Sequence, residues 1–212
     1  MSVSQHDAGG LFTHPKEFLT ANLLCMRGSL PTVAGVHNFS FSNVTAELGY
    51  TCSRKSKYFW KSDHSINVWD IRHVARGGSA AFHLPYEPGQ MKRAILPNEA
   101  MLMFTSEMTG CTFGMATYRD GTIEICHANY QTKNGHLDTA RLSRETAWCA
   151  KRLEDHRYRE TVRGRAVPNL ARQARMGATV IGVRSPRGWT VYAQQWENLD
   201  GTNFKYLDLI EL

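Results

Sequence analysis

One short stretch of this chain holds a thiol, an imidazole and a hydroxyl at spacings that suit acyl-transfer chemistry. Cys111 follows Gly110 at a corner of the chain, His127 lies on the next returning strand, and Thr105 ends the strand before the corner. An isolated thiol has a pKa near ~8.5, so a neighbouring imidazole is the usual means of raising its thiolate fraction at neutral pH. The imidazole then returns the proton to a leaving group, help worth roughly 10²–10⁴-fold. Thr105 offers a hydroxyl to hold the useful imidazole tautomer. Gly110 permits a close backbone approach, which assigns an oxyanion- and substrate-binding role to the Thr109-Gly110 turn. The expected catalytic set is Cys111, His127 and Thr105, acting at an amide or ester carbonyl.

Whether thiol and imidazole meet depends on the hairpin between them. A two-residue turn at Asp120-Gly121 puts Cys111 and His127 on opposite faces of the sheet. A three-residue loop, Arg119-Asp120-Gly121, with Gly121 in the left-handed position, pairs Phe113 with His127 and makes Cys111 its diagonal neighbour on the same face. A five-residue loop sets Cys111 directly opposite His127. The chemistry requires an odd loop, and Gly121 makes one available.

The same residues also have an ordinary structural reading. Free cysteine is among the most buried residue types. The chain has five cysteines and nine histidines, and His64, His73, His83 and His136 are as visible as His127. Cys126 reads as a core residue on the opposite strand face. Cys25, Cys52, Cys111, Cys126 and Cys149 are odd in number, widely spaced and without a C-x-x-C pair. They do not read as a disulfide framework or a zinc site and suit a reducing compartment. No ligand spacing or cofactor motif appears, so neither metal nor cofactor is expected.

The elements that position these groups are mostly strands. Thr13 to Gly28 reads as a short amphipathic helix with Thr13 as N-cap and an apolar face of Phe18, Leu19, Leu23 and Met26. Residues 1–10 read as loose, and 29–65 as irregular with one or two short strands. From Ile66 period-two alternation begins, with strands expected at Ile66–Arg72, Ala80–Tyr86 and Ala94–Leu96, then the central strand-turn-strand-hairpin unit over 100–128. Leu137 to about Arg159 reads as the best helix of the chain, on Leu142, Thr146, Cys149 and Leu153. Three strands close the sequence, about 178–184, 189–196 and 204–210. Strands outnumber helices without β-α-β alternation, which predicts an α+β fold: a central antiparallel β-sandwich flanked by helices and long loops, in one domain spanning 1–212.

Composition limits the partners. The 212 residues carry a net charge of +6, which favours an acidic partner but is scattered along the chain. The one dense basic zone, Lys151 to Arg175, reads as a solvated helix and loop in preference to a docking patch. No RNA-binding aromatic motif accompanies it, so direct nucleic-acid binding is not expected. No apolar run reaches the ~18 residues of a membrane span, and residues 1–15 show no Sec-type signal. The expected setting is cytoplasmic, or export by a route without a classical signal.

Phe104-Thr-Ser-Glu-Met-Thr-Gly-Cys111 resembles the Leu-x-Gly-Cys signature of the cytotoxic-necrotizing-factor type glutamine deamidases, with Met108 in the Leu position, and is most similar to the Burkholderia lethal factor branch. There the Thr also lies six residues before the Cys and the His follows a short glycine-containing hairpin. Phe82-His-Leu-Pro-Tyr-Glu-Pro-Gly89 resembles the family's Leu-Pro-Trp stretch, and the strands from Gly177 and Trp189 are similar to its closing strands. The likeness runs over about 66–130 and 177–212. The hairpin from Cys111 to His127 is somewhat longer than the family's.

The resemblance implies a family-like catalytic domain in which Cys111 attacks a protein glutamine side chain, His127 protonates departing ammonia, and water releases glutamate. It implies a toxin or effector that needs no cofactor, works as a monomer in a host cytosol, and acts on a host protein such as a Rho-type GTPase or a DEAD-box translation-initiation helicase. Two alternatives stand beside it: a transglutaminase or other cysteine acyl hydrolase on the same scaffold, and a non-enzymatic basic module binding RNA or protein.

Overall fold

In a computed structural model of the chain, residues 9–45, 50–54, 64–132, 134, 136–167 and 169–212 are described. The expectation for residues 1–8, and parts of that for 29–65, lie outside them.

Two sheets account for nearly half of these residues. In chain order the strands are β1 (Asn22–Met26), β2 (Gly35–Asn43), β3 (Thr51–Arg54), β4 (His64–Ser65), β5 (Asn67–Val74), β6 (Ser79–Leu84), β7 (Met91–Ile95) and β8 (Leu102–Thr105). They continue as β9 (Thr112–Thr117), β10 (Ile123–Ala128), β11 (Lys151–Leu153), β12 (Thr161–Val162), β13 (Arg165–Ala166), β14 (Met176–Ser185), β15 (Gly188–Asn198) and β16 (Asn203–Glu211). Helices are short: α1 (Gly10–Thr13), α2 (Pro15–Ala21), α3 (Thr139–Glu145) and α4 (Leu170–Gln173), with one wide π-type turn at His156–Glu160. Strand takes 51% and helix 14%, the balance of a sheet-dominated α+β fold.

The large sheet runs β1-β5-β2-β6-β8-β14-β15-β16-β3-β4, and the small one β11-β9-β10-β7. The large sheet is mixed, where a purely antiparallel one was expected: β1 with β5, β6 with β8 and β16 with β3 are parallel. The parallel pairs join strands that are not sequence neighbours, which hairpin signals do not reveal. Phe82, Leu84, Met103, Val180 and Val191 of the large sheet pack against Phe113, Met115, Ile123, Ile125 and Leu153 of the small sheet in one buried cluster. The other face of the large sheet buries Leu11, Phe18 and Leu19 of α1 and α2 against Phe39, Phe104 and Ile181.

Two helix expectations are corrected. The segment Thr13 to Gly28 is helical only through Ala21; His14, not Thr13, precedes Pro15 at the start of α2. From Asn22 it becomes β1, buried at all five positions, because pairing with β5 satisfies a backbone that sits in the core. The segment 137–159 is helical only at α3, where Asp138 caps Arg141 N–H, and continues as β11 and the π-type turn. Leu153, read as part of a helical stripe, instead pairs with Phe113 on β9. Within 29–65, β2 is a nine-residue strand, longer than expected, since it runs between β5 and β6.

Part of the basic zone is ion-paired within the protein. Arg172 and Arg175 hold Glu197 at 2.8 and 2.9 Å, and Arg159 reaches Asp155 at 3.2 Å. Arg172 and Arg175 tie the end of the segment to β15 of the large sheet, where a solvated helix and loop was expected.

Candidate active site

The turn that carries Cys111 is held from two sides. Met108 exchanges both backbone hydrogen bonds with Ala178 of β14, at 2.8 and 3.0 Å, and its side chain is fully buried. It fills the apolar position that the motif assigns to leucine. Gly110 has φ +125°, a conformation that a side chain would strain. On the other side Tyr158, at the centre of the π-type turn, is fully buried. Its hydroxyl accepts the N–H groups of Gly110 and Cys111 at 2.9 and 2.8 Å and donates to the Cys111 carbonyl at 2.7 Å. Gln195 of β15 braces that turn by donating to the Arg157 carbonyl at 2.7 Å.

This geometry changes the oxyanion assignment. The N–H of Gly110 is spent on Tyr158 and does not face the cleft. Thr109 does line the cleft, and its backbone hydrogen bond favours the Cys111 thiolate. A side chain reaches the reacting atom as well: Asn129 Nδ2 donates to Cys111 Sγ at 3.2 Å.

The hairpin sets that contact. Its loop is Arg119-Asp120-Gly121, closed by Tyr118 and Thr122 at 2.8 Å, with Gly121 at φ +83°. The resulting register pairs His127 with Phe113, as the three-residue alternative requires. Cys111 and Asn129 therefore stand opposite one another, one step past the Thr112–Ala128 pair, on the face that carries Phe113 and His127. All four are directed between the sheets.

Cys111 is 3% exposed at the floor of a cleft of about 460 Å³, lined also by Pro31, Tyr86, Glu107, Thr109, Asn129 and Gln131. Burial pushes the Cys111 thiol up, and the Asn129 amide opposes that shift. Burial also raises the Glu107 carboxyl to about 7. The protein thus presents a neutral thiol beside one amide donor and a carboxyl poised near neutrality.

His127 lies deeper, beneath Tyr86, whose ring centre is 5.7 Å away. It is 1% exposed, and neither ring nitrogen has a hydrogen-bond partner. Burial, with a smaller contribution from His83, lowers its pKa to about 4, so the imidazole is neutral at pH 7 and resists protonation in this resting arrangement. Thr105 is buried at the end of β8, but its hydroxyl donates to the Ser106 carbonyl at 2.9 Å. Cys111, His127 and Thr105 thus border one layer, without the thiol–imidazole and imidazole–hydroxyl hydrogen bonds expected for them.

Four residues of the site escaped the sequence reading. Asn129 could have been found, since the three-residue loop that pairs Phe113 with His127 also pairs Cys111 with Asn129. Tyr86 stands at the aromatic position of the Leu-Pro-Trp-like stretch. Glu107 and Tyr158 had no comparable signal; Tyr158 lies inside a run dominated by arginine. Among the described residues no group of three or more His, Cys, Asp or Glu side chains is arranged to hold a metal ion.

No protein-family model matches the sequence. No curated protein matches it either. Among solved structures, the C-terminal domain of CNFy from Yersinia pseudotuberculosis aligns at a TM-score of 0.37 and 7% identity, over 63% of this chain and 62% of that one. What the site can do therefore rests on its own residues. They offer a nucleophile, a hydrogen-bond donor on that nucleophile and a neutral base one strand position away.

Proposed function

We propose that this chain is a cysteine-dependent protein glutamine deamidase. The observation that carries the reading is the Cys111–Asn129 contact at the floor of the cleft, with His127 the next residue inward on the same face. A glutamine side chain entering the cleft would bring its carbonyl carbon to Sγ. Asn129 Nδ2 would move from the sulfur to the carbonyl oxygen, where it stabilises the charge that develops on attack. His127 would accept the thiol proton as the C–S bond forms and pass it to the departing nitrogen as the C–N bond breaks, releasing ammonia. Water deprotonated by His127 would then hydrolyse the thioester to glutamate and restore the thiol. Tyr86 lines the same cleft as Cys111, with its ring centre 5.7 Å from that of His127, and would govern access to the imidazole.

A toxin or effector role follows from the motif around Cys111 rather than from the cleft. On that reading the protein works in a host cytosol and modifies a host protein such as a Rho-type GTPase or a translation-initiation helicase. Transglutamination is the nearest alternative, because an amine could replace water at the thioester. A basic RNA- or protein-binding module is less well supported, since ion pairs within the chain engage much of the 151–175 charge.

The test is ammonia release from glutamine-bearing proteins of a cell lysate, with a +1 Da shift at one glutamine, by wild type, Cys111→Ser and His127→Asn. Deamidation by wild type alone supports the reading. Incorporation of a labelled amine in place of ammonia would make the protein a transglutaminase, and equal behaviour of all three proteins would remove Cys111 from the chemistry.

A further inference from the structure

The outward face of the small sheet holds a pair of sulfurs. Cys126 Sγ and Cys149 Sγ lie 3.8 Å apart, both buried and both free thiols. Cys126 is on β10 and Cys149 stands in the turn between α3 and β11, two residues before β11 begins. In the sheet β9 runs between β10 and β11, so the two sulfurs meet across an intervening strand.

The residue beneath them is Gly114, which pairs with Cys126 on one side and with Arg152 on the other. A Cβ there would lie 2.4 Å from Cys149 Sγ and 3.0 Å from Cys126 Sγ. Gly114 is not among the residues with positive φ, so its backbone conformation does not call for glycine. The space does. A mid-strand glycine weakens a strand, and here it opens a vault that two sulfur atoms fill.

We propose that Cys126 and Cys149 are a reversible disulfide site that staples the turn before β11 to β10 over the top of β9. Closing the bond shortens the sulfur–sulfur separation from 3.8 Å to about 2.05 Å. Cys149 is the attacking thiol. It is 9% exposed where Cys126 is fully buried. The contact with Cys126, in which either thiol can donate, holds its pKa below the usual thiol value with help from Arg152 and Arg93. Burial pushes Cys25, Cys52 and Cys111 the other way.

The oxidant is a small-molecule disulfide such as oxidised glutathione. The Cys149 thiolate attacks one glutathione sulfur, the glutathione S–S bond breaks, and one glutathione leaves as thiolate. Cys126 then attacks the Cys149 sulfur, forms the protein disulfide and expels the second glutathione. The two protons of the cysteine thiols end on the two glutathione thiolates. The bridge encloses 127–148, a segment that includes His127, Asn129 and α3, and it does not depend on any catalytic role of Cys111.

The experiment exposes folded full-length protein to mixtures of oxidised and reduced glutathione, traps free thiols with N-ethylmaleimide and maps the peptides by mass spectrometry. The expected product has Cys126 and Cys149 cross-linked, two hydrogens lighter, with three thiols trapped and full reversal by dithiothreitol. Its melting temperature should rise by about 5–10 °C, as a loop of this size constrains the unfolded chain. That rise should be absent from Cys149→Ser. Five trapped thiols, a lasting glutathione adduct on Cys149, or a bridge to any other cysteine would overturn the assignment, leaving the sulfurs as packing around Gly114.

Discussion

Asn129 and Cys111 face one another across the open end of the β9–β10 hairpin, with the amide nitrogen donating to the sulfur at 3.2 Å. A hydrogen bond to a buried thiol favours the thiolate that burial disfavours. The same nitrogen is within reach of the place where a carbonyl oxygen would sit during attack.

Replacing Asn129 by alanine should therefore act twice. Cys111 alkylation by iodoacetamide near neutral pH should slow several-fold, because the donor that opposes burial is gone. Ammonia release should fall further, by about 10²–10³-fold, the usual loss for one oxyanion donor. Rates measured for both reactions on the same preparation separate the effects. An equal loss in both would confine Asn129 to the thiol.

Tyr158→Phe tests the brace beneath the nucleophile. The substitution removes one hydroxyl and leaves the N–H groups of Gly110 and Cys111 without their partner. Each unsatisfied buried donor costs about 1–3 kcal/mol, so urea denaturation should show a loss of about 2–6 kcal/mol. The freed N–H groups would relax toward the cleft, and Cys111 should label faster although the protein is less stable. Slower labelling would mean that Tyr158 positions the thiol as well as the turn.

The hairpin was legible because its geometry is local: Asp120-Gly121 and the alternation on either side restrict the loop to a few lengths, and each length fixes where His127 points. The three closing strands were legible for the same reason. The small-sheet edge at Leu153 was not, since a three-residue strand has no period of its own and exists because Phe113 is there to pair with it. Nor was the role of 151–175, where composition announces solvent and the one residue that matters to the site, Tyr158, is buried among arginines. Thr105, His127 and Cys111 are candidates by type and spacing, but their hydrogen bonds depend on side-chain positions that spacing does not set.

Stability should fall on mild acidification. His83 and His127 are buried and neutral, each with a pKa lowered to about 4 from the usual 6.5. The unfolded chain takes up these two protons as pH falls through 6.5 and the folded chain resists until about 4, so stability is lost across that window. Glu107, raised to about 7, works in the opposite sense: it favours the folded state at low pH and loses that contribution as pH rises through 7. Each group is worth up to about 3 kcal/mol over its interval, and two histidines outweigh one carboxyl. Denaturation at pH 7 and at pH 4.5 should show the net loss, and His83→Asn should flatten it. A protein as stable at pH 4.5 as at 7 would contradict the burial of both rings.

The loop glycine gives the most direct check on the hairpin register. Gly121 has φ +83° and no atom near the place a Cβ would occupy, so any cost of a side chain there is conformational. Asparagine tolerates this region and a β-branched residue does not. Gly121→Asn should therefore leave stability within a few tenths of a kcal/mol, while Gly121→Val should lose about 1–2 kcal/mol. The larger consequence concerns the face of the sheet. If valine drives the hairpin to an even loop, His127 and Asn129 rotate away from Cys111, and reactivity should fall by more than the lost stability explains. Labelling of Cys111 in fully folded Gly121→Val, compared with wild type and Gly121→Asn, reads that difference. Unchanged labelling in the valine variant would mean that the sandwich, and not the loop, holds the register in place.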